Sequence, residues 1–285
     1  MNSRPLYWSM RRELWENRSI YLAPLAVAAV FLVGFAISTI GMPARRRAVL
    51  LLDPMHQRAT IGQPYDAAAI TLLVTSLIVG AFYCLDALYG ERRDRSILFW
   101  KSLPVSDLTT VLSKASIPAV ILPLIIFSII VTTQFIMMLW SSAVLMASGL
   151  AATTWTRVNL FEQSLIMLYG LIVIALWYAP IYGWLLLVSA WARRAPILWA
   201  VLPLFAIGVL DGIAFKGTHV AAMLKHRLMG QFAAAFVFDA NGKVDSLTQL
   251  TPGRFLSAPG LWIGFVFTAA FLAAAVRLRR NREPI

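Results

Sequence analysis

Few residues of this 285-residue sequence could carry covalent or metal chemistry. Of its three histidines, His56, His219 and His226, the last two are seven apart and would share a helix face, but no carboxylate completes a metal set beside them. The single cysteine, Cys84, lies in an apolar run and excludes an intramolecular disulfide. No GxxxxGK-S/T loop, HExxH or GxSxG occurs, so the chain brings no phosphate cradle, and ATP would have to be bound by a partner. Two carboxylates, Asp86 and Asp211, fall within apolar segments, where an ionisable group is a functional candidate by default. Asp86 could meet Arg93 or a base of the N-terminal segment, and Asp211 stands close to Lys216. Each is read either as an interfacial ion pair or as part of a substrate or ion path.

The densest chemistry is YGERRDRSILFWKSLPVSDLTTVLSK, residues 89–114, which places eight charged side chains between two apolar runs. Glu91, Arg92, Arg93, Asp94 and Arg95 form a mixed-charge knot, with Glu91 and Arg95 spaced for an i,i+4 pair. Ile97, Leu98, Phe99, Trp100 and Leu103 then put large apolar groups into what should be a solvated loop, and such a patch calls for a partner or a membrane surface. Pro104 breaks any helix, and Ser106 is placed to cap the next one.

The elements that hold this stretch follow from composition. With 60% hydrophobic and 13% charged residues and a mean hydropathy of +0.74, the chain is a membrane protein. A span needs roughly 20 apolar residues. Six windows meet that length, at 20–40, 67–88, 115–139, 164–190, 196–215 and 258–276, predicting an all-α polytopic protein of one domain, 1–285. Lys and Arg number 15 on the side of the termini and 10 on the other, which predicts both termini in the cytoplasm, 89–114 as a cytoplasmic loop and 216–257 as an outer loop. The run Arg45-Arg46-Arg47 goes against this pattern by landing outside. The net charge of +12 sits in short clusters beside the spans and fits anionic headgroups rather than nucleic acid. Residues 141–155 and 219–238 are expected as outer-face helices resting on or dipping into the bilayer, with a seventh or eighth span as the competing reading, and DANGKVD, 239–245, as a hairpin turn. Pro118, Pro123, Pro180, Pro196 and Pro203 are expected to kink spans.

Residues 3–19 read as an interfacial helix. Leu6, Tyr7, Met10 and Leu14 share one arc, while Arg4, Arg11 and Arg18 flank it together with Trp8 and Trp15. The tryptophans suit headgroup level and the arginines, Arg11 and Arg18 among them, suit lipid phosphate.

In its motif the chain resembles the type 2 ABC transporter permeases, which carry Glu-Arg, a Gly-Thr-Leu-like triplet, Leu-Pro-Val-Ser and a Lys after the second span. Glu91, Arg92, Ser96, Ile97, Leu103, Pro104, Val105, Ser106 and Lys114 match position by position. Arg95 stands where the family usually has Gly, and Trp100-Lys101 where it often has Leu-Leu. The resemblance implies the membrane subunit of an ATP-driven exporter in the bacterial inner membrane. It would pair with a second permease copy or a homologous permease, and a separate ABC ATPase subunit would bind ATP and magnesium, with no cofactor in this chain and no enzymatic activity of its own. It further implies that 89–114 is a coupling loop in which Glu91, Arg92, Arg93, Ile97, Leu98, Phe99, Trp100, Leu103, Pro104 and Lys114 serve the ATPase contact. There the charges would pair with the ATPase, and Phe99 and Trp100 would fill its groove or anchor to lipid. A non-transporting membrane anchor or sensor remains an alternative, as does a lipid- or peptide-modifying enzyme, for which the intramembrane nucleophile and base clusters are missing.

Overall fold

The computed structural model describes residues 3–96, 105–215, 219–239 and 242–281. It is an all-α, multi-pass membrane protein. Among the described residues six helical stretches are long and apolar enough to cross a bilayer: Ser19–Ser38, Pro54–Arg93, Asp107–Met146, Leu160–Trp177, Pro196–Ile213 and Pro259–Asn281. The elements are α1 (Ser3–Glu16), α2 (Ser19–Ser38), α3 (Met42–Val49), α4 (Pro54–Ala87), α5 (Tyr89–Arg93), α6 (Asp107–Ser116), α7 (Leu122–Met146), α8 (Ala152–Arg157), α9 (Leu160–Trp177), α10 (Ala179–Trp191), α11 (Pro196–Phe215), α12 (His219–Ala235), α13 (Pro252–Leu256) and α14 (Pro259–Asn281).

The second and third spans are much longer than the windows read from hydropathy. Asp53 caps α4 through the His56 N–H with Pro54 in its first turn, so the helix starts a dozen residues before its apolar run. The third span is α6 and α7 joined by a π-turn at Ile117–Ile121, where Pro118 lacks the N–H that a regular ladder needs. Residues 141–146 therefore continue α7 instead of forming a separate surface helix, and only Ala152–Arg157 of the expected 141–155 helix stands apart.

The 164–190 window is not one helix. It breaks at Tyr178 into α9 and α10, with Pro180 in the first turn of the second piece. Pro196 likewise opens α11, so both prolines begin helices where their missing N–H costs nothing, and neither kinks one. The break leaves the Trp177 carbonyl, which α12 satisfies. Arg227 donates to Trp177 O and, at 3.0 Å, to Gly260 O, and its guanidinium stacks 4.9 Å from the Trp177 ring. Trp177 Nε1 and the Tyr178 hydroxyl donate back to the carbonyls of Arg227 and Leu228 at 2.9 and 2.7 Å. The expected 219–238 helix thus exists and docks on the broken span.

The core runs along α2, α4, α7 and α10, with Ile20, Leu72, Cys84, Ile126 and Leu186 essentially inaccessible. Helices α10 and α14 approach closely at Gly183, where an added Cβ would sit 3.4 Å from Phe271 Cβ and 3.5 Å from Thr268 Cα. The 239–245 turn closes as expected through Asp239 N–H to Lys243 O at 3.0 Å, with Gly242 left-handed at φ +71°.

Candidate functional site

At the end of the bundle where α1 meets the end of α14, five elements converge on one buried cluster of charge. Helix α1 contributes Glu13, which is fully buried. Lys114, from the last turn of α6, lies 2.8 Å from Glu13 Oε1 and 3.1 Å from Glu91 Oε1 of α5. Arg279, near the end of α14, pairs with Glu91 Oε2 and sits 3.0 Å from Asp107 Oδ1 at the start of α6. Arg12 reaches Glu13 at 2.9 Å and Glu91 at 3.6 Å. From α4, the Tyr83 hydroxyl donates to Glu13 Oε2 at 2.9 Å. Three acids thus face three bases, the balance that makes buried charge tolerable. Burial alone would raise the Glu13 carboxyl, but Lys114 and Arg12 outweigh it and hold the group below its usual range.

The helix geometry around the cluster is built with equal care for orphan groups. The second span is interrupted at Leu88, and Ser189 Oγ of α10 accepts the freed N–H groups of Leu88 and Tyr89 at 3.0 and 2.8 Å. Arg92 crosses the same gap in the other direction and donates to the carbonyls of Ser189, at 3.1 Å, and Ala192 at the end of α10. Ser106 caps α6 as the sequence predicts, accepting the Thr109 N–H at 3.1 Å.

This arrangement corrects part of the sequence expectation. Glu91, Arg92 and Lys114 turn inward, 9%, 3% and 2% exposed, and their charges meet groups of this chain. Glu91 pairs with Lys114 and Arg279 and not with Arg95, because α5 ends at Arg93 and Arg95 is left-handed at φ +57°. Arg93 does remain exposed, 2.9 Å from Asp94 and 3.9 Å from Asp86. Asp86 is itself 57% exposed, so it is an end-of-helix ion pair and not a group inside the bundle. Asp211 accepts the Val220 N–H at 3.0 Å and lies 3.5 Å from His219, holding the start of α12; Lys216, its expected partner, lies outside the described residues. Ile97, Leu98, Phe99, Trp100, Leu103 and Pro104 also lie outside them.

On α1, Trp8 and Trp15 are 57% and 63% exposed, with the Arg11 guanidinium 5.3 and 4.6 Å from their rings. Arg18 is exposed beside them. That half of the helix matches the interfacial layout. Its other half is the ionic contact through Glu13, which a search for apolar periodicity passes over because a glutamate on the inner arc reads as polar noise.

The far end of the bundle holds a cleft of about 1160 Å³ between α4, α7 and α9, with Phe127 and Val131 in its wall and Arg58, Asp66, Arg157 and Glu162 among its polar lining. Lys243 from the 239–245 turn reaches Asp66 at 3.4 Å and ties the turn across the cleft. Asp66 was missed as a span residue because the apolar window begins one residue after it; the longer α4 places it inside the helix. Among the described residues no group of three His, Cys, Asp or Glu side chains is gathered for a metal ion. Family models, curated proteins and solved structures yield no match to this chain.

Proposed function

We propose that this chain is the membrane subunit of an ATP-driven exporter, moved by a separate ATPase subunit that presses on residues 97–104. The observation that carries the reading is the ionic junction. Residues 97–104 are bracketed by Glu91 and Arg92 before and Asp107 and Lys114 after, and all four side chains are locked to α1, α10 or α14. A force applied between such anchors acts on four helices together, whereas in a loose loop it would dissipate. The left-handed backbone at Arg95 adds support, because glycine adopts that conformation freely and the resembled permeases usually have glycine there. Helix α11, of which only 6% of the spanning window is buried, leaves an apolar face for lipid or a second copy. In this reading the termini are cytoplasmic, ATP and magnesium belong to the partner, and the far cleft, apolar walled and charge rimmed, receives amphipathic cargo. The ATP-bound state biases the bundle only through contacts that differ between its two states, and the 97–104 segment is where they would be made.

The test is purification of the tagged full-length chain from its native membrane in mild detergent, with mass spectrometry of what accompanies it. A stoichiometric ATPase that is lost when residues 97–104 are replaced by Gly and Ser is the expected result. Absence of any ATPase would overturn the reading, and an ATPase without ATP-dependent flux in vesicles would turn it to a non-transporting anchor.

A further inference from the structure

The run Arg45-Arg46-Arg47 splits into three different fates on α3. Arg45 donates to Ser38 O and, at 2.8 Å, to Ile40 O, closing the carbonyl end of α2. Arg47 points outward. Arg46 is only 5% exposed, yet it has no hydrogen bond or ion pair among the described residues, and its Nη1 is a buried atom without a partner. Among the described residues no carboxylate acts on it; burial lowers its pKa, and the Tyr65 hydroxyl opposes that. A buried cation left without an anion costs several kcal/mol, roughly, and native chains rarely keep one.

The same side chain lines an open cavity of about 160 Å³ between the end of α2, α3 and α4. That volume is far above the ~10–15 Å³ a single water needs, so it admits a polyatomic anion. Arg45 and the hydroxyl residues Ser38, Thr39 and Thr60 share the lining with Phe35, Ile61 and Pro64. The cavity stands where the 20-residue α2 ends, after roughly 30 Å of helix, which is headgroup level for a bilayer that α2 crosses.

We propose that the Arg46 cavity binds a phosphate-type anion, the phosphate of a lipid headgroup in the leaflet at this end of the bundle being the source that its place at the end of a bilayer-length helix favours, with free phosphate as the other source of the same chemistry. The planar guanidinium is the group suited to hold two phosphate oxygens at once. The inference does not depend on the exporter reading.

Full-length wild type, Arg46→Met, Arg46→Lys and Arg47→Met would be melted in mild detergent with dioctanoyl phosphatidylglycerol, with dioctanoylglycerol, which lacks the phosphate, or with inorganic phosphate at matched ionic strength, and phospholipid retained through purification would be counted by mass spectrometry. Phosphatidylglycerol should raise the Tm of wild type and Arg47→Met, and dioctanoylglycerol should not. Arg46→Met should weaken the apparent affinity about tenfold or more while melting no lower than wild type without additive. Arg46→Lys should keep a weaker response, and it preserves the test should Arg46→Met fail to fold. A shift from inorganic phosphate that phosphatidylglycerol does not exceed would support the site with free phosphate as its ligand. An equal response to dioctanoylglycerol, an Arg46→Met response equal to wild type, or no shift together with no retained phospholipid would each overturn the proposal.

Discussion

Lys114 Nζ lies 2.8 Å from Glu13 Oε1, a contact across 101 positions that joins the N-terminal helix to the foot of the third span. Both side chains are nearly inaccessible, and each also serves another partner, Lys114 with Glu91 and Glu13 with Arg12 and Tyr83. The pair is the centre of the junction, where charge on three helices meets.

Removing Lys114 alone leaves the three acids of the junction facing two bases, Arg12 and Arg279. Lys114→Met is expected to cost about 3–5 kcal/mol in detergent unfolding, whereas Glu13→Gln combined with Lys114→Met should recover part of that loss. A single variant no worse than the double would show that the charges are solvated in the working protein.

Acid should act on the same contact. The Glu13 carboxyl is held below its ordinary 4.5, so its contribution is fully present above that value and is lost as pH falls through the lower folded value. Melting wild type and Glu13→Gln from pH 7 to pH 3 should show the wild-type Tm falling more steeply below pH ~4.5, with the difference between the two shrinking toward acid. Parallel curves would remove Glu13 from the linkage.

Ser189 serves as a cap in trans. Ser189→Ala deprives Leu88 and Tyr89 of a side-chain acceptor at the break in the second span, at an expected cost of about 1–3 kcal/mol. Hydrogen exchange should quicken at residues 88–93 and stay unchanged in α2; a uniform change would mean global loosening instead.

The bridge between Asp66 and Lys243 is half-exposed, so its energetic worth is small, about 0–1 kcal/mol. Lys243→Ala should leave the Tm nearly unchanged while exchange rises at Val237 and Asp239, whose amides hold the 236–250 turn together. Protection equal to wild type would show that the turn needs no tie to α4.

Overpacking at Gly183 should be costly because α10 and α14 touch there along their backbones. Gly183→Leu is expected to lose about 1–3 kcal/mol, and Gly183→Ala much less, since its Cβ would only reach ordinary contact. Equal Tm values for the two would place the helices farther apart than 3.4 Å allows.

Much was legible locally. Each apolar window contains a helix because a bilayer leaves a backbone few other ways to satisfy its N–H and C=O groups, and the Ser106 cap and the 239–245 turn depend only on neighbours in sequence. Helix ends were less legible, since Asp53 and Pro54 start α4 in polar sequence that hydropathy does not count. The break at Tyr178 was hidden because both halves of 160–191 are apolar, and the group that meets the Trp177 carbonyl there, Arg227, is fifty positions away.

Composition and periodicity by themselves determined that this chain is helical, crosses a bilayer several times and carries its densest charge between the second and third spans, because those properties are sums over neighbouring residues. Whether a given charge faces water, lipid or another charge is decided by residues a hundred positions apart. Glu91 and Lys114 looked like loop charges and are interior, and Arg46 looked like one of three equivalent arginines and is the one that is buried. Only tertiary packing sorts them, because the energy of a buried charge depends on the single group that meets it.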